Sequence, residues 1–167
     1  MRSMDVARML VLALMGAWIA GAWAAGSIEV RFIEPQRFVD IGLRASDREA
    51  NLAQLRAHLE GLAPRLLDGQ RLSIDVLEVD LAGEERPAHH GNPVRVLRGR
   101  ADWPRMRLRW QLTGPGAPER GAEEWLADLA YLNRLPPNFG THEALPYERR
   151  MLEEWFQERI VAGQPAR

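Results

Sequence analysis

The stretch from Arg105 to Thr113 constrains the fold more than any other part of the chain. Met106, Leu108, Trp110 and Leu112 alternate without a break with Arg105, Arg107, Arg109 and Gln111. A period of two puts every apolar side chain on one face of a strand and every arginine on the other. Such a strand is half buried, in a sheet with one face on the core and one towards water. Gly114-Pro115-Gly116 follows as a turn, which predicts a hairpin. Its second arm is expected over about residues 121–132, with Trp125, Ala127, Leu129 and Tyr131 on one face.

The rest of the chain supplies partners for that hairpin. Ile28, Val30 and Phe32 alternate with Glu29 and Arg31, a first strand. Pro35 ends it, and 36–44 reads as irregular. Ser46 stands three residues before Glu49 as a capping box, and Leu52, Leu55, Leu59 and Leu62 form one stripe of the helix behind it. In the next strand the apolar phase slips from Leu72, Ile74 and Val76 to Leu77, Val79 and Leu81, the mark of a bulge. Residues 83–93 read as a loop and Val94 to Leu97 as a short strand. Pro146 opens a last helix, where its missing N–H falls among donors that lack partners anyway. Tyr147, Met151, Leu152, Trp155, Phe156 and Ile160 give that helix a wide apolar arc, with Arg149–Glu153 and Arg150–Glu154 spaced as i,i+4 pairs. The order predicts an α+β fold: a two-layer sandwich, with a mixed or mainly antiparallel sheet of about four to five strands and two helices packed on it.

The first residues carry an address. Arg2 and Arg8, the apolar run Met9 to Ala20, and Ala22-Trp23-Ala24 form the three regions of a secretory signal peptide over residues 1–24. The run is shorter than the roughly 20 residues of a spanning helix. The expectation is therefore export and cleavage, no membrane span in the mature chain, and a single domain over 25–167. Cleavage removes Arg2, Arg8 and Asp5 and moves the formal charge from −1 to −2. A near-neutral exported domain has no field to steer it to nucleic acid. The chain has no cysteine, which excludes a disulfide framework, a thiol nucleophile and a thiolate metal site. It has no lysine either, which excludes a Schiff base.

Several phrases together resemble a known family. They are Val30-Arg31-Phe32 with Pro35 and Phe38-Val39-Asp40, Asn51-Leu52, Val79 to Glu84, Val94 to Arg98, Trp103-Pro104-Arg105, Tyr131-Leu132, and Tyr147 to Phe156. The chain resembles the domain-of-unknown-function 3016 family of small bacterial proteins made with a signal peptide. The resemblance implies export to the periplasm and implies no activity, cofactor or catalytic residue.

Candidate chemistry is sparse. Ser27, Ser46 and Ser73 are the serines beyond the leader, and no G-x-S-x-G elbow is present. His89 and His90 lie in a loop near Glu84 and Glu85. His58 and His142 stand apart, and no spaced ligand set joins them. The paired carboxylates Glu123-Glu124 and Glu153-Glu154 are read as surface charge. No catalytic residue, metal or cofactor is expected. The feature that stands out is the arginine row, Arg105, Arg107 and Arg109, with Arg95 expected from a neighbouring strand; such a row suits phosphate or carboxylate, unless acids across the hairpin neutralise it. A second candidate is a partner surface on the last helix: Tyr147, Met151, Trp155 and Phe156. The expected function is a non-enzymatic, envelope-associated binding or accessory protein, whose partner is an envelope protein or an anionic envelope component. The alternative is an acid–base enzyme with a histidine–carboxylate site.

Overall fold

Four strands make one mixed sheet in the order β1 (Ser27–Phe32), β2 (Arg71–Asp80), β5 (Arg105–Thr113), β6 (Arg120–Ala127). The architecture is that of a computed structural model, which describes residues 25–88, 91, 93–99, 101–115, 118–134 and 144–162. The expected leader, His89, His90 and His142 lie outside the described residues. β1 runs parallel to β2, with α1 (Ala45–Glu60) between them in the chain, and β2–β5–β6 are antiparallel neighbours. α2 (Pro146–Phe156) continues into a π-helical turn over Gln157–Val161.

Both helices pack on the same face of the sheet. Leu72, Ile74 and Val76 of β2 and Met106, Leu108, Trp110 and Leu112 of β5 supply the inner face, and Leu55, Leu59, Leu152, Phe156 and Ile160 close over it. The bulge read in β2 is present. Register shifts between Val76 and Glu78, so Leu77 is left without a cross-strand partner, and burial resumes at Val79. The α+β sandwich follows directly from these one-sided strands.

Several local expectations are corrected. α1 starts one residue before Ser46, with Arg44 at the cap position, and the Ser46 hydroxyl donates to Asp47 instead of capping the helix. Residues 83–93 contain a short strand, β3 (Glu84–Arg86), paired only with β4 (Val94–Val96) in a separate two-stranded sheet. Its three charged residues carry no periodicity to read. Gly83 enters it with φ +76, and a Cβ there would lie 2.6 Å from Val96 O. β6 stops at Ala127 and is buried through Leu126; Trp125 and Leu129 are 55% and 66% exposed, and only Tyr131 of the expected row is in the interior. The i,i+4 pair Arg149–Glu153 forms at 2.8 Å, whereas Arg150 turns inward to Asp128 and Glu154 pairs with Arg134.

Candidate functional site

The far face of the sheet carries neither helix, and it holds the arginines of β5 and the acids that flank them. β5 places Arg105, Arg107 and Arg109 there, beside Asp80, Glu78 and Asp75 of β2 and Ala127, Trp125 and Glu123 of β6. β1 adds Arg31. With Leu77 bulged out of the ladder, Glu78 and Asp80 face Arg107 and Arg105.

The arginine row is real, and it is paired. Arg105 meets Asp80 at 2.9 Å, and Arg31 donates its Nε to Asp75 at 2.8 Å. Arg107 reaches both Glu78 and Glu123. Arg109 donates both Nε and Nη2 to Glu123 Oε2, at 3.0 and 2.8 Å. Glu123 therefore answers two guanidinium groups at once. Hydrogen bonds from Arg109 and then Arg107 hold its carboxyl below the ordinary glutamate value near 4.5. All these pairs are exposed, and pairs of that kind contribute about 0–1 kcal/mol each. They are easily exchanged for a stronger ligand.

Glu123 gives a pH test of this arrangement. A carboxyl whose folded pKa is lowered stabilises the fold above its unfolded pKa, and that contribution is lost as pH falls through the folded value. Glu123→Gln is expected to lower stability slightly at pH 7. The difference from wild type should close as the pH drops below about 4.5. Urea unfolding at a series of pH values measures it, and a difference that persists unchanged at pH 3 rules out the shared-carboxylate account.

Arg95 does not join the row. β4 lies outside the main sheet, and the Arg95 guanidinium turns to Asp40 Oδ2 at 2.8 Å and to the carbonyls of Ala82, Gly83 and Asp40. It ties the segment after β1 to the turn after β2. Glu148, 1% exposed at the start of α2, ties in the same turn by accepting the Ala82 N–H at 2.7 Å, and burial pushes its carboxyl up.

The expected partner surface on α2 is spent inside the chain. Tyr147, Met151, Trp155 and Phe156 are 9, 4, 6 and 0% exposed. Tyr147 stacks edge-on to Tyr131 at 5.0 Å. Trp155 meets Trp110 at 6.3 Å, and both indole N–H groups donate to Glu124 Oε1, at 3.0 and 2.8 Å. The arc is wide because α2 packs on the sheet, on α1 and on the segment after β6 together. His58 Nε2 lies 3.1 Å from Ala144 O, a contact between α1 and the approach to α2.

The open face is not flat. A hollow of about 530 Å³ opens among Arg31, Ser73, Asp75, Arg109, Gln111 and Gly121. Gly121, at its lining, sits at a close approach of the two strands: a Cβ there would lie 2.7 Å from Trp110 O. Beyond Arg107, the exposed Trp125 and Val39 and the half-buried Leu77 break the ladder with apolar surface. Trp125, Arg31 and Gly121 were not legible as site residues. The apolar character of Trp125 says nothing of which way it faces, and the place of β1 in the sheet depends on a crossover that periodicity does not report. Among the described residues no group of three His, Asp or Glu side chains is placed to hold a metal ion, and no helix is long and apolar enough to cross a membrane.

No curated protein and no solved structure matches the chain. A family model does: the one described as Protein of unknown function (DUF3016) matches residues 26–158, from the start of β1 into the π-helical turn that ends the described fold. That span contains the whole sheet, both helices and every arginine of the ladder, and the chain belongs to this family.

Proposed function

We propose that this chain is a non-enzymatic binding or accessory protein of the cell envelope. Residues 1–24 export it to the periplasm, and the open sheet face receives an anionic group of an envelope component. The observation that carries the reading is that two guanidinium groups of the open face, Arg31 and Arg109, line one hollow. Arg109 meets Glu123 through Nε and Nη2, and among the described residues its Nη1 has no partner. A carboxylate or phosphate seated between Arg31 and Arg109 takes bidentate hydrogen bonds and displaces only weak exposed pairs. Ser73 and Gln111 line the same hollow; Gln111 Nε2 donates to Glu119, which also lines it, and Ser73 is the neutral group left to orient the rest of a ligand.

A thermal-shift series tests this with inorganic phosphate, a glycerophosphate headgroup and a muropeptide as probes. A ligand at 100 times its Kd adds about 2.7 kcal/mol of stability, a shift of roughly 8–10 °C in a domain of this size. One of the anions is expected to raise Tm in the wild type and to lose at least three quarters of that shift in Arg109→Ala. An equal shift in both proteins, or none with any probe, overturns the assignment of the face.

A further inference from the structure

A different surface, independent of the open-face reading, points to a second mode of recognition. β6 is an edge strand, and the phase of its backbone is fixed. Asp128 N–H donates to Pro104 O, one step beyond the Arg105–Ala127 pair. In an antiparallel ladder the two backbone groups of a residue point to the same side, and the side alternates along the strand. Even-numbered residues of β6 therefore bond to β5, and Gly121, Glu123, Trp125 and Ala127 turn their N–H and C=O groups outward. All four residues are exposed, and among the described residues none of these eight groups has a partner. The opposite edge is guarded: on β1, Arg56 Nη1 donates to Val30 O at 2.6 Å.

Beside this edge lies a groove of about 270 Å³, walled by β6 on one side and by α2 and its π-helical turn on the other. Its charges are Glu124, Asp128, Glu154 and Glu158 against Arg134 and Arg159. Arg159 is taken by Glu124, Arg134 by Glu154, and Asp128 by the buried Arg150. Glu158 is exposed and enters no ion pair among the described residues, so the charge left over in the groove is negative.

We infer that the groove between β6 and α2 is a docking site for an extended, basic polypeptide segment, which adds to the sheet as a fifth strand. The outward backbone groups fix the conformation of the occupant, since only another extended chain matches donors and acceptors at strand spacing. Glu158 selects a lysine or arginine, and Trp125 offers an apolar surface for the side chain next along.

The test uses the ¹⁵N-labelled protein and two blocked heptapeptides, one alternating lysine with valine and the other alternating glutamate with valine. The lysine peptide is expected to bind saturably at up to millimolar concentration and to slow amide exchange at Glu123 and Trp125 at least tenfold. The glutamate peptide is expected to bind at least tenfold more weakly. Ala127→Pro removes one outward N–H without touching a ladder bond, and Glu158→Lys reverses an exposed charge. Each is expected to weaken the lysine peptide by roughly three- to tenfold, the range of a single hydrogen bond or exposed ion pair. Arg31→Ala, on β1 at the opposite edge of the sheet, is expected to leave it unchanged, which separates this site from the open face. The inference is overturned by no saturable binding, by equal binding of the two peptides, or by protection that falls outside β6. Protection of the β6 amides that rises with protein concentration alone overturns it too, by showing a second copy on that edge.

Discussion

Phe156→Ala is expected to destabilise the protein by about 3–5 kcal/mol, the usual cost of emptying a buried phenyl site. At roughly 3 °C per kcal/mol for a domain of this size, Tm should fall by about 10–15 °C. Phe156 is 0% exposed and belongs to the core cluster that joins α1, the sheet and α2. It packs edge-on to Trp155 at 6.4 Å and carries the Arg65 guanidinium over its ring at 5.2 Å. Trp125→Ala is the matched comparison. That ring is larger, yet it is 55% exposed, and its loss should move stability by no more than about 0.5 kcal/mol. Scanning calorimetry of the two variants decides which aromatic group belongs to the fold. Equal and small losses would place Phe156 on the surface, as a partner surface on α2 would require.

The second large effect lies at the buried ion pair. Arg150→Met is expected to cost about 3–5 kcal/mol, because it leaves Asp128 charged and out of water. The two groups meet at 2.6 Å with each side chain 7% exposed. Arg150 also donates to the carbonyls of Tyr131 and Arg134, and its guanidinium lies 5.9 Å from the centre of the Tyr147 ring. Asp128 Oδ1 in turn accepts the Ala130 N–H at 3.1 Å. The pair therefore holds the turn after β6 against α2. Adding Asp128→Asn to Arg150→Met should recover part of the loss, since the neutral amide keeps an acceptor for Ala130 and no longer needs a cation. Urea unfolding of the two variants measures this, and a double variant no more stable than the single one shows that the lost contacts, rather than the stranded charge, carry the effect.

How much of this was legible in the sequence depends on how far each signal reaches. β5 was readable residue by residue, because alternation needs nothing beyond the strand itself. The bulge in β2 was readable for the same reason: Val76 and Val79 cannot both be buried in an unbroken pleat. The arginine row and its pairing with acids such as Glu123 followed from the hairpin. Arg95 was misplaced because a three-residue strand carries no information about which sheet it joins. The α2 arc was visible, but its destination was not. A wide apolar face states how much must be covered, and only the fold states by what. Arg150 was assigned to Glu154 on spacing, and burial gave it to Asp128, 22 residues away in the chain.

The unpaired residue in β2 has a consequence for how a chain of this kind tolerates changes of length. Everywhere else along β2, adding or removing one residue exchanges the two sides of the strand and sends charges into the interior. At Leu77 it does not. With that residue absent, Val76 and Glu78 would follow one another in an unbroken pleat, with Val79 still inside and Glu78 and Asp80 still outside. The strand thus contains one position where parity is already broken, and there a single-residue gap between relatives leaves both sides of the sheet as they are.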